Sequence, residues 1–533
     1  MGIQTDYDVI VVGAGPAGLS IASELSRFVK VLVIDKKGKA SQCTKGWFVP
    51  TLSLDGKEEI PAHCHSEGIK RFICDTATQE RRAWDARIDG GYRFIDEKAI
   101  LTYWDDRVRR HGASGDEAKG KGSTVLYGTV CYNHAVTRDQ VMVTTSMGNF
   151  SARMLVDASG HDSPIKKAYH KLTSRNMYWW SVYGWIVNHP TLPDYPGLIN
   201  GARERMRVGD YLLWGTFKDL NADPDACLEE GRPVMEYEII DEHTSFPMVL
   251  FLRRSKVSLD VMKAQFNHII NNEDLGRPFR VKDVDAIGAG NPRSKHIREV
   301  KYGWYPSGGL SQGFACDRVA FVGDAGCWST PCGWGMAFIL TNYKKYAQHL
   351  AVKIKEDSLD SRSLESLVKM ARWEQMQIVV DQIAAHFLSH VPPNLIDKFI
   401  DFWNREAMTF LYCEKLFTLT ITMPELDHLI ACFGRAFEKE LPMLVKSFPL
   451  VDLRLAIKAV SLWGQIGWSR KLALVEHMIE VITKDWDEGP WHELLHDKLK
   501  ELKRDVEMLT GERPQPQIAE NGFDFLDYSE LRD

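Results

Sequence analysis

Asp8-Val-Ile-Val-Val-Gly-Ala-Gly-Pro-Ala-Gly-Leu19 opens this chain, and Val31-Leu-Val-Ile-Asp35 follows it. A β-branched apolar run leads straight into Gly13-x-Gly15-x-x-Gly18. A helix-prone segment and a second apolar strand come next, and that strand ends in an acid. Strand, glycine turn, helix, strand and acid together make the dinucleotide-binding fingerprint. Gly13 is expected to allow the tight turn, Gly15 to let the backbone approach a pyrophosphate, and Gly18 to let the helix pack closely on the strand. The helix begins at Pro16-Ala17, and its N-terminal end offers free N–H groups and a positive dipole to phosphate. Asp35 lies 22 residues after Gly13, where an acid accepts hydrogen bonds from an adenosine ribose. Lys36, next to it, is a further candidate contact.

Working outward, 533 residues are too many for one ordinary core, so two or three domains are expected. With 44% apolar and 26% charged residues the composition is that of a globular protein. A net charge of −6 gives no basic face for nucleic acid. The ten cysteines are irregularly spaced, as reduced intracellular thiols are. Cys327-x4-Cys332 and His63-Cys64-His65 are the local clusters, and neither has the second ligand pair of a structural zinc site, so no metal is expected. No secretory signal precedes the first strand, and apolar runs such as Met177–Val187 fall short of a membrane span. A soluble, cytoplasmic chain is expected.

Further along, the spacing of Ile100, Leu101, Trp104 and Val108 predicts a helix over Asp96–Arg110. Residues 40–90 read as loops around a site. Strands are expected at Thr124–Val130, Gln140–Thr145 and Ala152–Ala158. Residues 176–260 alternate apolar and polar in several runs, among them Val234–Ile240 and Met248–Leu252, which predicts an antiparallel sheet. From 360 to 510 the pattern is helical.

A second strong signal is Arg318-Val-Ala-Phe-Val-Gly-Asp-Ala-Gly326, a buried strand that ends in Gly323-Asp324. An acid there can hold a polyol hydroxyl. Gly13-x-Gly15-x-x-Gly18, Val156-Asp-Ala-Ser-Gly160 and Gly323-Asp-Ala-Gly326 occur in the order seen in the FAD-dependent oxidoreductase superfamily, which the chain resembles. That superfamily holds p-hydroxybenzoate hydroxylase-like monooxygenases, flavin-dependent halogenases, geranylgeranyl reductases and lycopene cyclases. The resemblance implies an α/β fold: a Rossmann-type FAD-binding domain (1–175 and 285–355), an inserted, mostly antiparallel β substrate domain (176–284), a helical C-terminal region (356–512) and a loose tail (513–533). It implies that Gly160, Gly323 and Asp324 lie on FAD, and that Thr330-Pro-Cys-Gly-Trp-Gly335, with Pro331, Gly333 and Gly335, runs along the flavin ring.

The later part is most similar to lycopene cyclases, in Gly91–Leu101, Asp324–Met336, Phe410–Phe417 and Met423–Leu426. Those cyclases carry a paired-glutamate motif in the substrate sheet. The matching stretch here, Ser245–Arg253, has no acids, and Asp241-Glu242 is the nearby substitute. Tryptophan halogenases carry a catalytic lysine and a Trp-x-Trp-x-Ile-Pro run, which Trp180–Ile186 echoes in part. Lys45, His63 and Trp334 are the catalytic candidates. Trp328, Trp334 and Tyr178-Trp179-Trp180 are expected as apolar walls of the site.

The expected chemistry is FAD-dependent oxidation or reduction of an apolar, aromatic or polyene organic small molecule: monooxygenation, halogenation or double-bond reduction. The alternatives are a cyclase or isomerase that uses reduced FAD without net redox change, and a flavin-bound partner protein. Ile287-Gly-Ala-Gly-Asn291 is only a fragment of a second dinucleotide motif. Electrons are therefore expected from transient NAD(P)H or from a separate flavin reductase. Amphipathic stretches at Phe399–Trp403 and Leu411–Leu419 suggest peripheral membrane contact.

Overall fold

The computed structural model describes residues 5–50, 60–75 except 67, 82–85, 92–113, 122–169, 178–214 except 193 and 200, 233–272 except 254, 297–307, 315–328, 335–368 and 421–437, with isolated positions between 398 and 504. The chain divides into two compact units, Met1–Lys369 with Leu388–Thr420, and Met370–Phe387 with Ile421–Asp533.

The first unit contains two large sheets. One is built on five parallel strands: β1 (Tyr7–Val12), β2 (Val31–Ile34), β7 (Thr124–Leu126), β10 (Gly148–Asp157) and β19 (Val319–Phe321). They stand in the order β19-β10-β1-β2-β7, and β18 (Ala315–Cys316) is antiparallel at the edge. A meander of β8 (Cys131–Val136) and β9 (Val141–Thr145) continues antiparallel from β10. The strands are continuous apolar runs because the central part of the sheet is covered on both faces. Val9, Val11, Val31 and Val33 pack under helices α1 (Pro16–Leu25), α2 (Glu97–Ala113) and, later in the chain, Gly335–Glu356. Ile10, Val12, Leu32 and Ile34 pack on the opposite side. Trp104 is fully buried, edge-on to Tyr343 at 5.9 Å.

The second sheet has seven strands in the order β17-β11-β16-β15-β14-β4-β5. These are β4 (Arg71–Asp75), β5 (Arg82–Asp85), β11 (Trp179–Asn188), β14 (Asp210–Trp214), β15 (Pro233–Ile239), β16 (Thr244–Arg253) and β17 (Ile297–Pro306). All neighbours are antiparallel except β14 and β4. Helix α3 (Leu259–Asn272) closes one face, where Phe266 packs against Trp185 at 4.7 Å and Tyr183 at 5.3 Å. Two small ladders, β3 (Trp47–Pro50) with β6 (Tyr92–Ile95) and β12 (Asp194–Ile199) with β13 (Ala202–Arg205), complete the strands described.

Three expectations are corrected. Residues 71–85, read as loop, supply β4 and β5, and β17 falls beyond residue 284, so the sheet draws on three separated parts of the chain. Arg71 explains the first: its guanidinium holds Asp210 of β14 at 2.8 Å and also pairs with Glu204, partners 133 and 139 residues away that no local pattern reveals. A further strand, Cys131–Val136, forms where the sequence carried no expectation, because exposed residues break its alternation. Trp328 is no wall of a site. It is 1% exposed and edge-on to Tyr346 at 4.9 Å, a core residue.

In the second unit the helix Met423–Ala436 starts on a capping box. The Glu425 carboxylate accepts the backbone N–H of Thr422 at 2.8 Å and its hydroxyl at 2.9 Å. Among the described residues no helix is long and apolar enough to cross a membrane.

Candidate functional site

The strands of the first sheet end side by side, and backbone hydrogen bonds stitch their ends together. Gly13 N–H donates to Ile34 O at 2.8 Å, Ala158 N–H to Val12 O at 2.8 Å and Val322 N–H to Asp157 O at 2.9 Å. Three turns are thereby set in a row at the C-terminal edge of a parallel sheet, where open α/β sheets bind ligands. The first turn runs from Gly13 into α1, the second from Asp157 to Gly160, and the third is the single-turn helix Gly323–Gly326.

The glycines differ in what they answer to. A Cβ on Gly18 would lie 1.9 Å from the Gly13 carbonyl oxygen, and Gly13, at φ +109°, would place one 2.3 Å from Ala158 O. These two are required by the protein itself. Gly15 is not: its φ is −80°, and nothing among the described residues lies within 4 Å of a Cβ built there. It borders open space in front of α1. No side chain caps that helix, and its first turn holds no acid. Uncapped N–H donors beside an open glycine fit a pyrophosphate. Gly160, at φ +92°, also faces open space. Gly323 would place a Cβ 2.6 Å from the Ala17 Cβ, so the first and third turns touch.

Asp35 stands at the end of β2. Its carboxylate accepts the amides of Ala14 and of Lys37, the latter at 2.8 Å, and each oxygen keeps a further lone pair. Asp35 thus holds the turn as well as facing it. Lys36 points to solvent. Its neighbour Lys37, missed in the sequence, spans the turn instead, with Nζ donating to Ala14 O at 2.6 Å and to Ala40 O at 3.1 Å. Burial lowers its pKa, against the pull of Asp35. Asp157 is fully buried. Burial pushes its carboxyl up, and hydrogen bonds from Ser159 and Ser163 oppose that.

Lys45 reaches Asp324. Its Nζ donates to Asp324 Oδ2 at 3.0 Å, and its stem lies along Gly303 of β17, where a Cβ would come within 3.0 Å of Lys45 Cγ. One lysine therefore ties the third turn to the second sheet. On the other side of that turn Lys166 Nζ meets Cys327 Sγ at 3.4 Å, and Cys327 itself is held at φ +52°. His161, next to Gly160, packs edge-on against Trp179 at 5.1 Å, and burial is the main cause of its lowered pKa. His63 is exposed on the single-turn helix Ala62–Cys64. Pro331, Gly333 and Trp334 lie outside the described residues, as does Ile287–Asn291; Gly335 begins the helix Gly335–Glu356. Among the described residues no group of three His, Cys, Asp or Glu could hold a metal.

The face of the second sheet turned toward the first carries Phe246, Met248 and Leu250 of β16, with Phe94 of β6 edge-on to Phe246 at 5.8 Å. In register with them on β15 stand two acids: Glu236 opposite Met248 and Glu238 opposite Phe246. Glu238 is 1% exposed, and its Oε2 has no hydrogen-bond partner among the described residues. Tyr211 of β14 hydrogen-bonds Glu236. Burial pushes Glu236 up to about 7 and Glu238 up to about 8, the latter helped by the charge of Glu236. The sequence signal was Glu-x-Glu within an alternating strand, and alternation alone reads as a solvated polar face. Asp241 and Glu242, singled out from the sequence, are exposed in the turn between β15 and β16.

The raised pair makes a stability prediction. The native state holds these protons more tightly than the unfolded chain, so its contribution is complete below the ordinary glutamate value of 4.5 and is lost as pH rises through about 7 and about 8. Relative to E236Q/E238Q, the parent should lose several kcal/mol, to order of magnitude, between pH 5 and pH 9. Denaturant unfolding of both proteins across that range checks it, and parallel curves would contradict the pKa assignment.

Residues 6–90 match the family model described as FAD binding domain. The chain has the fold of the FAD-dependent oxidoreductases. A geranylgeranyl bacteriochlorophyll reductase-like protein from Thermoplasma acidophilum aligns at a TM-score of 0.58 and 13% identity, over 82% of this chain and 99% of that one. The halogenase PltM aligns at 0.52 and 14% identity, over 94% and 96%. The tetracycline destructase Tet(55) aligns at 0.50 and 12% identity, over 80% and 100%. No curated protein sequence matches significantly. The flavoprotein fold thus carries the dinucleotide edge read from Gly13–Gly18, with the second sheet beside it.

Proposed function

We propose that this chain is an FAD-dependent oxidoreductase that acts on an apolar or aromatic organic small molecule by monooxygenation, halogenation or double-bond reduction. The observation that carries the reading is Gly15: neither its backbone conformation nor any neighbour among the described residues calls for glycine there, which suits a demand from a group outside the chain. In this reading the α1 N-terminus and Gly15 hold the pyrophosphate, Asp35 the ribose, and the Gly323–Asp324 turn the ribitol side. FAD supplies the electron transfer when bound.

The chain's own residues do the rest. Lys45 neutralises Asp324 and anchors its turn on the second sheet. Phe94, Phe246 and Met248 exclude water from the covered face, which strengthens polar interactions within it. Electrons come from NAD(P)H or a separate reductase, and no nucleic acid or metal takes part.

The purified protein should bind FAD and show a flavin spectrum. Reduced anaerobically and then exposed to air, it separates the reaction types. Rapid reoxidation by oxygen supports an oxygenase or halogenase, and slow reoxidation a reductase. Turnover without stoichiometric reductant supports the cyclase-like alternative, and failure to bind FAD ends the reading.

A further inference from the structure

Among the described residues no cation pairs with Glu236 or Glu238. Burial and a hydrogen bond with Tyr211 act on Glu236, and burial and the charge of Glu236 act on Glu238. Two cations of the sheet, Lys301 and Arg71, are committed to other acids. Lys301 and Glu299 stand on the same face, but on β17, three strands from β15, where Lys301 is paired with Glu97 and Glu299. Arg71 is held by Asp210 and Glu204. Among the residues whose side chains are described, Phe246 and Met248 from β16 and Tyr211 from β14 face the pair.

Two adjacent carboxyls in an apolar, covered face are costly to keep, because transfer from water penalises each charge and the two repel. A purely structural strand would carry apolar residues at both positions. Glu238 Oε2 is the specific feature: a buried acceptor to which no group among the described residues donates. Aromatic rings lie beside it, and a cation is favoured near ring faces as well as near carboxylates.

We propose that Glu236 and Glu238 form a subsite for a positively charged nitrogen, so that the molecule taken up by this chain carries a basic amine on an apolar frame. The inference rests on the flavoenzyme reading only in treating the covered face as substrate space. An entering ammonium donates to Glu238 Oε2 and to Glu236, both carboxyls ionise, and their protons pass to solvent. No bond to carbon is made or broken. Binding then strengthens as pH rises from 6 toward 8, while the amine remains protonated.

The test uses the full chain loaded with FAD and three probes of one shape: benzylamine, benzyl alcohol and benzoate. Calorimetry at pH 7 in two buffers of different ionisation enthalpy gives both affinity and proton release. Benzylamine should bind about tenfold or more tighter than benzyl alcohol and release protons, and benzoate should bind weakest. In E238Q and E236Q/E238Q the amine preference should vanish, with benzyl alcohol affinity and flavin content unchanged. Equal binding of amine and alcohol overturns the proposal, as does binding by neither or an amine preference that survives in the double variant. A pair that serves only as a proton donor gives the first of these. Should E236Q/E238Q fail to fold, absent proton release with benzylamine in the parent overturns the proposal by itself. Loss of FAD from the parent strikes the flavoenzyme reading instead, and the amine preference is still measured on the apoprotein.

Discussion

Gly15→Ala should leave the apoprotein as stable as its parent, within about 1 kcal/mol, and weaken FAD binding by on the order of a hundredfold, ~2.7 kcal/mol. Gly18→Ala, three residues on, should do the opposite and prevent the domain from folding. The difference lies in what each Cβ would meet. At Gly18 it would lie 1.9 Å from a backbone oxygen, Gly13 O, which cannot move without undoing the turn. A clash of that kind belongs to the rare mutations that cost more than ~4 kcal/mol. At Gly15 it would meet no atom of the other described residues within 4 Å, and the φ of −80° suits any residue. The methyl group would occupy the place where a pyrophosphate meets the uncapped start of α1. Denaturant unfolding of the apoproteins and fluorescence titration with FAD read the two effects separately. If Gly15→Ala unfolds the chain as Gly18→Ala does, Gly15 is a packing glycine and the coenzyme argument loses its support.

Lys301→Met should cost about 3–5 kcal/mol, the usual consequence of removing one partner from a buried ion pair. Lys301 comes from β17 of the second sheet, and its side chain is 3% exposed; Glu97 comes from the first turn of α2 and is 5% exposed. Nζ pairs with Glu97 and donates to Glu299 Oε2 at 2.6 Å. Burial opposes the charge on Lys301, but the hydrogen bonds it donates to Glu299 and Glu97 outweigh it and hold the ammonium above its ordinary pKa. Without Lys301, Glu97 would be a buried carboxylate with no cation. Lys301→Met/Glu97→Leu should therefore be more stable than Lys301→Met alone, since an apolar replacement of both partners avoids the stranded charge. Urea melts of the two single variants and the double variant complete the cycle. A cost below ~1 kcal/mol for Lys301→Met would mean that water reaches the pair.

The glycine turns were legible because their backbone requirements are local. Gly13, Gly15 and Gly18 act within one strand–turn–helix unit, and short-range backbone geometry decides each role. Gly323-Asp324 was legible for the same reason, as the end of a buried apolar strand. Lys45 could be named as a candidate, but not for what it does: its partner Asp324 lies 279 residues away. Trp328 was misassigned because aromatic residues suit a core and a substrate wall equally, and only its packing on Phe338 and Tyr346 tells them apart.

The sequence by itself determined the parallel sheet, the glycine turns at its edge and the mostly antiparallel character of the second sheet, since periodicity and glycine spacing act over a few residues and demand no knowledge of the rest of the chain. The tertiary structure alone decided that β4 and β17 join the second sheet and that Lys301 is buried with Glu97. It also decided that Glu238 is buried on the face turned toward the first sheet, with Glu236 half-buried beside it. Alternation states that a strand has two faces; which one is covered depends on what packs against it, and here the cover comes from Phe94 of β6, more than a hundred residues earlier in the chain.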